Sequence, residues 1–168
     1  MSSAFHTTAA ALPLMREGGA IVNIASKAGA KWRENLGQVQ RLMAMKGPNG
    51  LGAFIAEEAI DPVRAYDLSK EAVIVWTKQE TQRLQGLGLR ANSVSPAAVD
   101  TAILTDFVTA FGPRAAKGVE LMGRAGTAAE VGAVVAFLAS AASGWVKGVD
   151  MPVDGGLDAM LAMADPAR

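Results

Sequence analysis

The sequence predicts an α/β fold with three parallel strands and flanking helices, and three observations support this prediction. Helix-like and strand-like segments alternate along the 168 residues, which is typical of a parallel sheet with right-handed helical crossovers. The strand-like segments are short and largely apolar, as buried parallel strands are. Glycine or proline stands close to the end of each one and marks its boundary.

The first predicted elements are a helix and a strand. Residues 3–16 are mostly small and apolar, and the glycines at 18 and 19 that follow them are a helix stop signal. Residues 20–26 (AIVNIAS) are β-branched and nearly continuous in apolar character, which predicts a buried strand.

Residues 30–62 form a predicted insert with an irregular pattern. Within it, residues 33–46 and 53–60 are compatible with short helices, and GPNG at 47–50 predicts a turn between them. The insert lies between the first strand and a long helix, predicted over 63–86, that Pro62 opens.

The second strand is predicted at residues 89–95 (LRANSVS), where Pro96 closes it. Residues 101–112 predict another helix. A further helix is predicted over 127–140, because Thr127 and Glu130 have the spacing of a capping box.

The third strand and a glycine turn are predicted within residues 146–156, and residues 157–168 are predicted to form a C-terminal tail. A chain of this length suffices for one domain with a core. We therefore expect one α/β domain over 1–168, with the insert as its largest irregular part.

Composition excludes several classes of protein. Sixteen basic residues balance sixteen acidic ones, so charge offers no reason to expect nucleic acid or membrane as a partner. Cysteine is absent and His6 is the single histidine, which excludes disulfides and a histidine metal cluster. The sequence lacks an apolar run of about 18 residues and a signal-peptide pattern, so we expect a cytoplasmic protein.

The stretch AYDLSKEAV (65–73) carries a candidate catalytic pair. Tyr66 and Lys70 are four residues apart and lie on one face of the predicted helix. A nearby ammonium favours the ionised form of a phenol, which lets tyrosine transfer protons near neutral pH. The spacing alone fits a surface pair with a core-packed ring better.

Other motifs stand in a fixed order around this pair: NIASKAG at Ser26, NSVSPAAVDT after the second strand, and VDMPVDGG near the end. Together they resemble the short-chain dehydrogenase/reductase family over essentially the whole chain. The long insert, with GRAG, VVAFLAS and VDGGLDA, is similar to the bacterial 3α-hydroxysteroid dehydrogenase/carbonyl reductase branch. The resemblance implies a truncated Rossmann-like fold and a catalytic group of Ser26, Tyr66 and Lys70.

By that resemblance, Ser26 would hold a carbonyl or hydroxyl group of a small-molecule substrate and Tyr66 would transfer the proton. Lys70 would assist the tyrosine and contact the cofactor ribose. Backbone groups at Val99 and Thr101 would meet the nicotinamide, although Ala97 stands where the family has a glycine. The family's Gly-rich phosphate loop does not occur in this chain, so we expect no cofactor and treat these two contacts as vestigial.

Three functions remain open. The leading hypothesis is a cofactor-independent enzyme that uses Ser26, Tyr66 and Lys70, with ester hydrolysis as the first chemistry and proton abstraction or retro-aldol cleavage as the next. The alternative is an NAD(P)-dependent hydroxysteroid or carbonyl oxidoreductase whose nucleotide-binding half is supplied by a separate polypeptide or by sequence outside this chain. The third is an inactive remnant of such an enzyme.

The predicted strand at 20–25 would be an apolar sheet edge without a neighbour, which proteins normally cover. We therefore expect a two-fold dimer through this strand, and a second contact around residues 135–153 that joins dimers into a tetramer. Asp67 and Glu71 are expected to be solvated and Trp145 to be packed. Trp32 either lines a substrate pocket or fixes the insert.

Overall fold

The structure is a computed structural model that describes residues 3–45, 47–102, 104, 109 and 112–164. Its helices are α1 (Ser3–Ala11), α2 (Leu36–Ala44), α3 (Leu51–Glu57), α4 (Pro62–Gln79), α5 (Thr81–Gly86), α6 (Pro113–Met122), α7 (Ala128–Ala139) and α8 (Leu157–Ala164). Its strands are β1 (Ala20–Ile24), β2 (Arg90–Pro96), β3 (Val99–Asp100), β4 (Gly126–Thr127) and β5 (Asp150–Val153). The helix predicted over 101–112 falls largely outside the described residues.

The main sheet is parallel and has the order β1-β2-β5, which confirms the predicted α/β fold with three parallel strands. Ile24 pairs with Val94 in its register, and Ser95 pairs with Pro152. The carboxyl ends of parallel strands meet at one edge of a sheet, so the residues that follow β1 and β2 are brought together there. A second parallel pair, β3 with β4, was not predicted, because each strand contributes only two residues.

The helices that connect the three strands lie on opposite faces of the sheet. Asn23 donates a hydrogen bond of 2.9 Å to Thr77 in α4, and Asn23 is in register with Ser93. Arg90 is three residues before Ser93, so it points to the other face, where it donates to the carbonyl of Ser140 at the end of α7. The connections from β1 to β2 and from β2 to β5 both place the next strand on the same side of the previous one. Because their helices lie on opposite faces of the sheet, the two crossovers have opposite hands. The sequence pattern predicted right-handed crossovers for both.

The insert is folded against α4. Val39 of α2 and Phe54 of α3 are buried together with Leu68, Ala72 and Val75 of α4 in one apolar cluster. Short helices of this kind are marginal alone and are stabilised when an apolar face is packed. The irregular segment of the sequence is therefore a two-helix cover over the outer face of α4.

The long helix predicted over 63–86 is two consecutive helices. α4 ends at Gln79 and α5 begins at Thr81, with Glu80 as the residue between them. Among the described residues, no helix is both long enough and apolar enough to cross a membrane.

Candidate active site

Ser26 stands two residues after the end of β1, at the carboxyl edge of the sheet. It caps a single 3₁₀ turn, Lys27–Gly29, and its Oγ accepts a hydrogen bond of 3.2 Å from the backbone N–H of Ala28. The capping hydrogen bond fixes the chain direction as the chain leaves the strand. Ser26 is half-buried, so its hydroxyl is held at the edge of the sheet and not within the core.

Gly29 allows this turn to approach α4 closely. A Cβ atom at Gly29 would lie 2.8 Å from Cδ1 of Ile74 and 3.0 Å from the carbonyl carbon of Lys70. Both distances are shorter than a side chain normally tolerates. A residue without a Cβ therefore lets the Ser26 turn rest on the helical turn that carries Lys70.

Lys70 links the candidate pair to the strand. Its Nζ lies 5.7 Å from the centroid of the Tyr66 ring and donates a hydrogen bond of 3.2 Å to the carbonyl oxygen of Ile24. Burial lowers the pKa of the Lys70 ammonium, because a low dielectric disfavours the charged form. The structure thus brings the two helix residues to the end of β1, two residues before Ser26.

The edge beside this pair is open in the described part of the chain. β1 has β2 as a neighbour on one side, and no described strand pairs with its other side. The Ile24 side chain is 51% exposed. The carboxyl end of β1 therefore presents an apolar surface next to a half-buried cation.

Val99 and Thr101 lie in the segment that follows β2. Val99 pairs with Gly126 in the short β3-β4 ladder, and the Thr101 hydroxyl donates to the Val99 carbonyl at 3.4 Å. Ala97 donates a backbone hydrogen bond of 3.4 Å to Val153. The segment is tied to β4 and β5 through its backbone, and the predicted cofactor contacts of Val99 and Thr101 stay a prediction.

A cavity of about 250 Å³ opens beside Ser26. Its walls include Trp32 from the insert, Lys78 of α4, Ser95 of β2 and Asp150 of β5. Trp32 also packs against the apolar cluster between the insert and α4. Both uses considered for this tryptophan are therefore present: it lines a pocket and it anchors the insert.

Asp150 is a half-buried carboxylate in the lining of this cavity. The hydroxyls of Ser93 and Ser95 donate to its Oδ1 at 2.7 Å and 2.9 Å. Burial raises the pKa of Asp150, and the two hydroxyls and the Lys78 ammonium oppose that rise. Sequence reasoning missed this group, although two serines at alternate positions of a strand share a face and were a usable signal.

Glu71 corrects another prediction. It was expected to be solvated, but it is fully buried and accepts hydrogen bonds from Asn35 at 2.8 Å and from both Nη atoms of Arg64 at 2.9 Å and 2.6 Å. The reason is tertiary, since the insert covers this side of α4. Trp145 was expected to be packed and is almost fully exposed.

A parallel sheet with helices on both faces is an α/β fold, and comparison with known proteins identifies it as Rossmann-like and identifies the family. A family profile described as enoyl-(acyl carrier protein) reductase matches residues 38–158. The chain belongs to the short-chain dehydrogenase/reductase family, which confirms the resemblance drawn from its motifs.

Relatives in this family are named dehydrogenases. The chain is 35% identical over 154 residues to the coniferyl-alcohol dehydrogenase of Pseudomonas sp. strain HR199, covering 90% of this chain and 60% of that protein. It is 34% identical over 99 residues to the 3-alpha-hydroxysteroid dehydrogenase/carbonyl reductase of Comamonas testosteroni, covering 58% and 38%.

A solved structure to which the chain is similar is also that of a dehydrogenase. The 3-alpha-hydroxysteroid dehydrogenase from Pseudomonas sp. B-0831, complexed with NADH, superposes with a TM-score of 0.68 and 28% identity and covers 89% of this chain and 58% of that one. The chain thus spans about three fifths or less of the length of these relatives.

These findings correct two predictions. The leading hypothesis of a cofactor-independent hydrolase is wrong, because the relatives are dehydrogenases. The expectation of no cofactor is also wrong, since the structural relative carries NADH. The error came from treating a missing phosphate loop as loss of the cofactor, although the loop's absence describes only the residues of this chain.

The described residues fit the nicotinamide end of such a cofactor. The exposed Ile24 side chain offers an apolar surface for a flat ring, and the adjacent Lys70 ammonium has N–H donors for ribose hydroxyls. The described residues offer no Gly-rich loop between a strand and a helix that would hold the phosphates. The fit therefore extends to one end of the dinucleotide.

Proposed function

We propose that this chain provides the catalytic part of an NAD(P)-dependent oxidoreductase that interconverts an alcohol and a carbonyl compound. The observation that carries the proposal is Lys70, whose ammonium bonds to the carbonyl at the end of β1 and lies 5.7 Å from the Tyr66 ring. The names of relatives support it, among them the cyclohexanol dehydrogenase of Rhodococcus sp. strain TK6, 28% identical over 159 residues.

Each of the three catalytic residues has a separate task in the direction of alcohol oxidation. The Ser26 hydroxyl holds the substrate oxygen by a hydrogen bond, and the Tyr66 phenolate removes the proton from that oxygen. Lys70 stabilises the phenolate by its positive charge. A bound NAD(P)⁺, whose nicotinamide end Lys70 and the Ile24 surface would hold, would supply the hydride acceptor, so that the alcohol would lose one proton and one hydride and become a carbonyl compound.

The cavity beside Ser26 supports a cyclic or aromatic substrate. Trp32 lines it beside two cations, Arg33 and Lys78, which lie 4.4 Å and 5.4 Å from its ring centroid, and the uncovered part of the indole offers apolar contact to a ring-shaped molecule. Lys78 of α4 and Asp150 of β5 provide charged groups in the lining of the cavity. We therefore assign this cavity to the part of the substrate that lies beyond the reacting oxygen.

The experiment is oxidation of coniferyl alcohol, cyclohexanol and a 3α-hydroxysteroid by the purified protein with NAD⁺ and with NADP⁺, followed by the absorbance of the reduced cofactor. Tyr66→Phe should lower kcat/KM by about 100-fold or more, because it removes a proton-transfer group. The matched control is Ser69→Ala, which removes a hydroxyl from the same helix; that hydroxyl donates to the Tyr66 carbonyl at 2.7 Å.

The proposal fails if the protein oxidises none of these alcohols with either cofactor while it reduces no matching carbonyl compound with NADH or NADPH. It also fails if the Tyr66→Phe variant retains full activity. A loss in the Ser69→Ala control as large as that in Tyr66→Phe would show that the helix, and not the phenol, is responsible.

Assembly through residues 20–25 and through the last helix and strand stays a prediction. β1 and β5 are the two edges of the three-stranded sheet, and Phe137 and Trp145 are exposed near the second predicted contact. Light scattering at micromolar protein concentration would show a monomer if both contacts were wrong.

A further inference from the structure

Two charged residues bracket the catalytic pair on α4. Arg64 is two residues before Tyr66, and Glu71 follows Lys70 directly. Arg64 donates two hydrogen bonds to the two oxygens of Glu71, at 2.9 Å and 2.6 Å. The ion pair therefore spans the same two helical turns that carry the phenol and the ammonium.

The insert is tied to this ion pair by directional bonds. Asn35, at the N-terminus of α2, donates to Glu71 at 2.8 Å. Gln38 accepts from Nε of Arg64 at 2.9 Å and donates to Glu58 at 3.0 Å. The chain of bonds therefore runs from α4 through α2 to Glu58, the residue directly after α3.

Adhesion between the insert and α4 does not need this network. The apolar cluster of Val39, Phe54, Leu68, Ala72 and Val75 already buries the contact. A buried ion pair is often no more stabilising than apolar residues of similar volume. Apolar contacts tolerate small shifts, whereas hydrogen bonds with three donors on one carboxylate fix both the distance and the rotation of the helix.

We propose that Glu71 is a positioning residue, which together with Arg64 and Asn35 holds the Tyr66–Lys70 turn of α4 at the carboxyl end of β1. The insert then fixes the position of α4 in addition to covering its outer face. The consequence for catalysis rests on the proposed oxidoreductase function, but the positional claim does not.

Lys70 makes the positional claim directly measurable. Its ammonium is half-buried and donates to the carbonyl of Ile24 at the end of β1, and this burial lowers its pKa. NMR of the ¹³C-methylated lysines, with Lys70→Arg to assign the signal, follows its titration with neither cofactor nor substrate present. The ionisable side chains on the elements packed at this point are Tyr66, Asp67 and Glu71 on α4 and Lys27 in the Ser26 turn.

Glu71→Gln separates position from charge by the sign of its effect. If the carboxylate positions the helix, its loss moves Lys70 away from the buried end of β1, and the midpoint of the Lys70 titration rises towards its ordinary value. If the carboxylate acts only through its charge, its removal disfavours the Lys70 cation, and the midpoint falls.

Two further variants complete the experiment. Glu80→Gln is the matched control, since it breaks a glutamate–arginine pair with Arg83 at the far end of α4, and it should leave the midpoint unchanged. Asn35→Ala removes one of the bonds to Glu71 while the ion pair remains, and it should raise the midpoint by a smaller amount than Glu71→Gln.

An unchanged or lower midpoint in a folded Glu71→Gln protein overturns the proposal, as does an equal rise in Glu80→Gln. If Glu71→Gln does not fold, the Asn35→Ala titration decides alone, with a rise as support and no rise as refutation. Where the wild-type protein oxidises an alcohol, kcat of Glu71→Gln should also fall by about 10-fold at nearly constant KM. An inactive wild-type protein would refute the proposed function, whereas the titration would still test the positional claim.

Discussion

The helices α4 and α7 lie on opposite faces of the same sheet, and they differ in how much of their surface is buried. α4 buries seven residues, and the charged Glu71 is one of them. α7 has the sequence AAEVGAVVAFLA, yet Leu138 is its one buried residue, and Phe137 is 42% exposed. What packs over each helix therefore decides how many of its positions are buried, and under the insert this includes a charged residue.

The difference follows from the number of layers around each helix. α4 lies between the sheet and the insert, so residues on both its inner and outer sides are covered. α7 contacts the sheet on one side, and no described helix covers its outer side to the same degree. A buried carboxylate is tolerated under the insert because three N–H donors satisfy it.

The largest expected effect is on the buried ion pair of α4. Glu71→Ala leaves the Arg64 guanidinium without its carboxylate partner, which should lower the free energy of unfolding by about 3–5 kcal/mol. Chemical denaturation measures this. Glu57→Ala, at an exposed position of α3, is the control and should change it by about 0.5 kcal/mol or less. Equal losses in the two variants would contradict the assignment of Glu71 to a buried network.

The second prediction tests α7. Leu138→Ala should lower the free energy of unfolding by about 2–5 kcal/mol, because Leu138 is fully buried. Phe137→Ala, at the neighbouring exposed position, should cost much less in a monomer. A Phe137→Ala loss that grows with protein concentration would show that the outer side of α7 is covered in an assembly.

The third prediction concerns the close contact between α4 and the Ser26 turn. Gly29→Ala places a methyl group 2.8 Å from Ile74 and 3.0 Å from the Lys70 backbone. This crowding should lower the free energy of unfolding, measured by chemical denaturation, by about 1–3 kcal/mol. Gly52→Ala in α3 is the matched control, since nothing lies within 4 Å of its Cβ position, and it should be neutral or stabilising. A neutral Gly29→Ala variant would show that the turn can move away from α4.

The smallest expected effect is at the N-terminus of α7. Bonds from Arg124 and Thr127 hold the pKa of Glu130 at about 2, below its ordinary value of 4.5. The unfolded chain binds more protons between these values, so this stabilisation is complete above about pH 4.5 and is lost as pH falls towards 2. Glu130→Gln should therefore lower the melting temperature slightly at pH 7 and not at pH 2, whereas Glu120→Gln, at an exposed position of α6, should show no such pH dependence.

Local features of the fold were predictable from the sequence. The capping box of Thr127 and Glu130 is confirmed by bonds in both directions between the two residues, because it involves four consecutive residues. The three strands were located within a few residues of their observed bounds, since continuous apolar runs indicate buried strands. The helix predicted over 63–86 divides at Glu80, a change for which no glycine or proline gave a signal.

The candidate site was predictable only in part. The spacing of Tyr66 and Lys70 places them on one helix face, and the motif around Ser26 placed that residue after a strand. The partners of Glu71 and Asp150 were missed, since Asn35 is 36 residues from Glu71 and Ser93 is 57 residues from Asp150. Periodicity carries no information about which distant polar groups meet.

By itself, the sequence determined the alternation of helices and strands, the caps and turns, and the family through its ordered motifs, because these depend on residues that are close in the chain or on their order. The tertiary structure alone decided that the insert covers α4, that Glu71 is buried with Arg64, and that Lys70 reaches the carbonyl of Ile24. Each of these depends on packing between segments distant in sequence, where the cost of burying a charge is offset only by partners that the fold brings near.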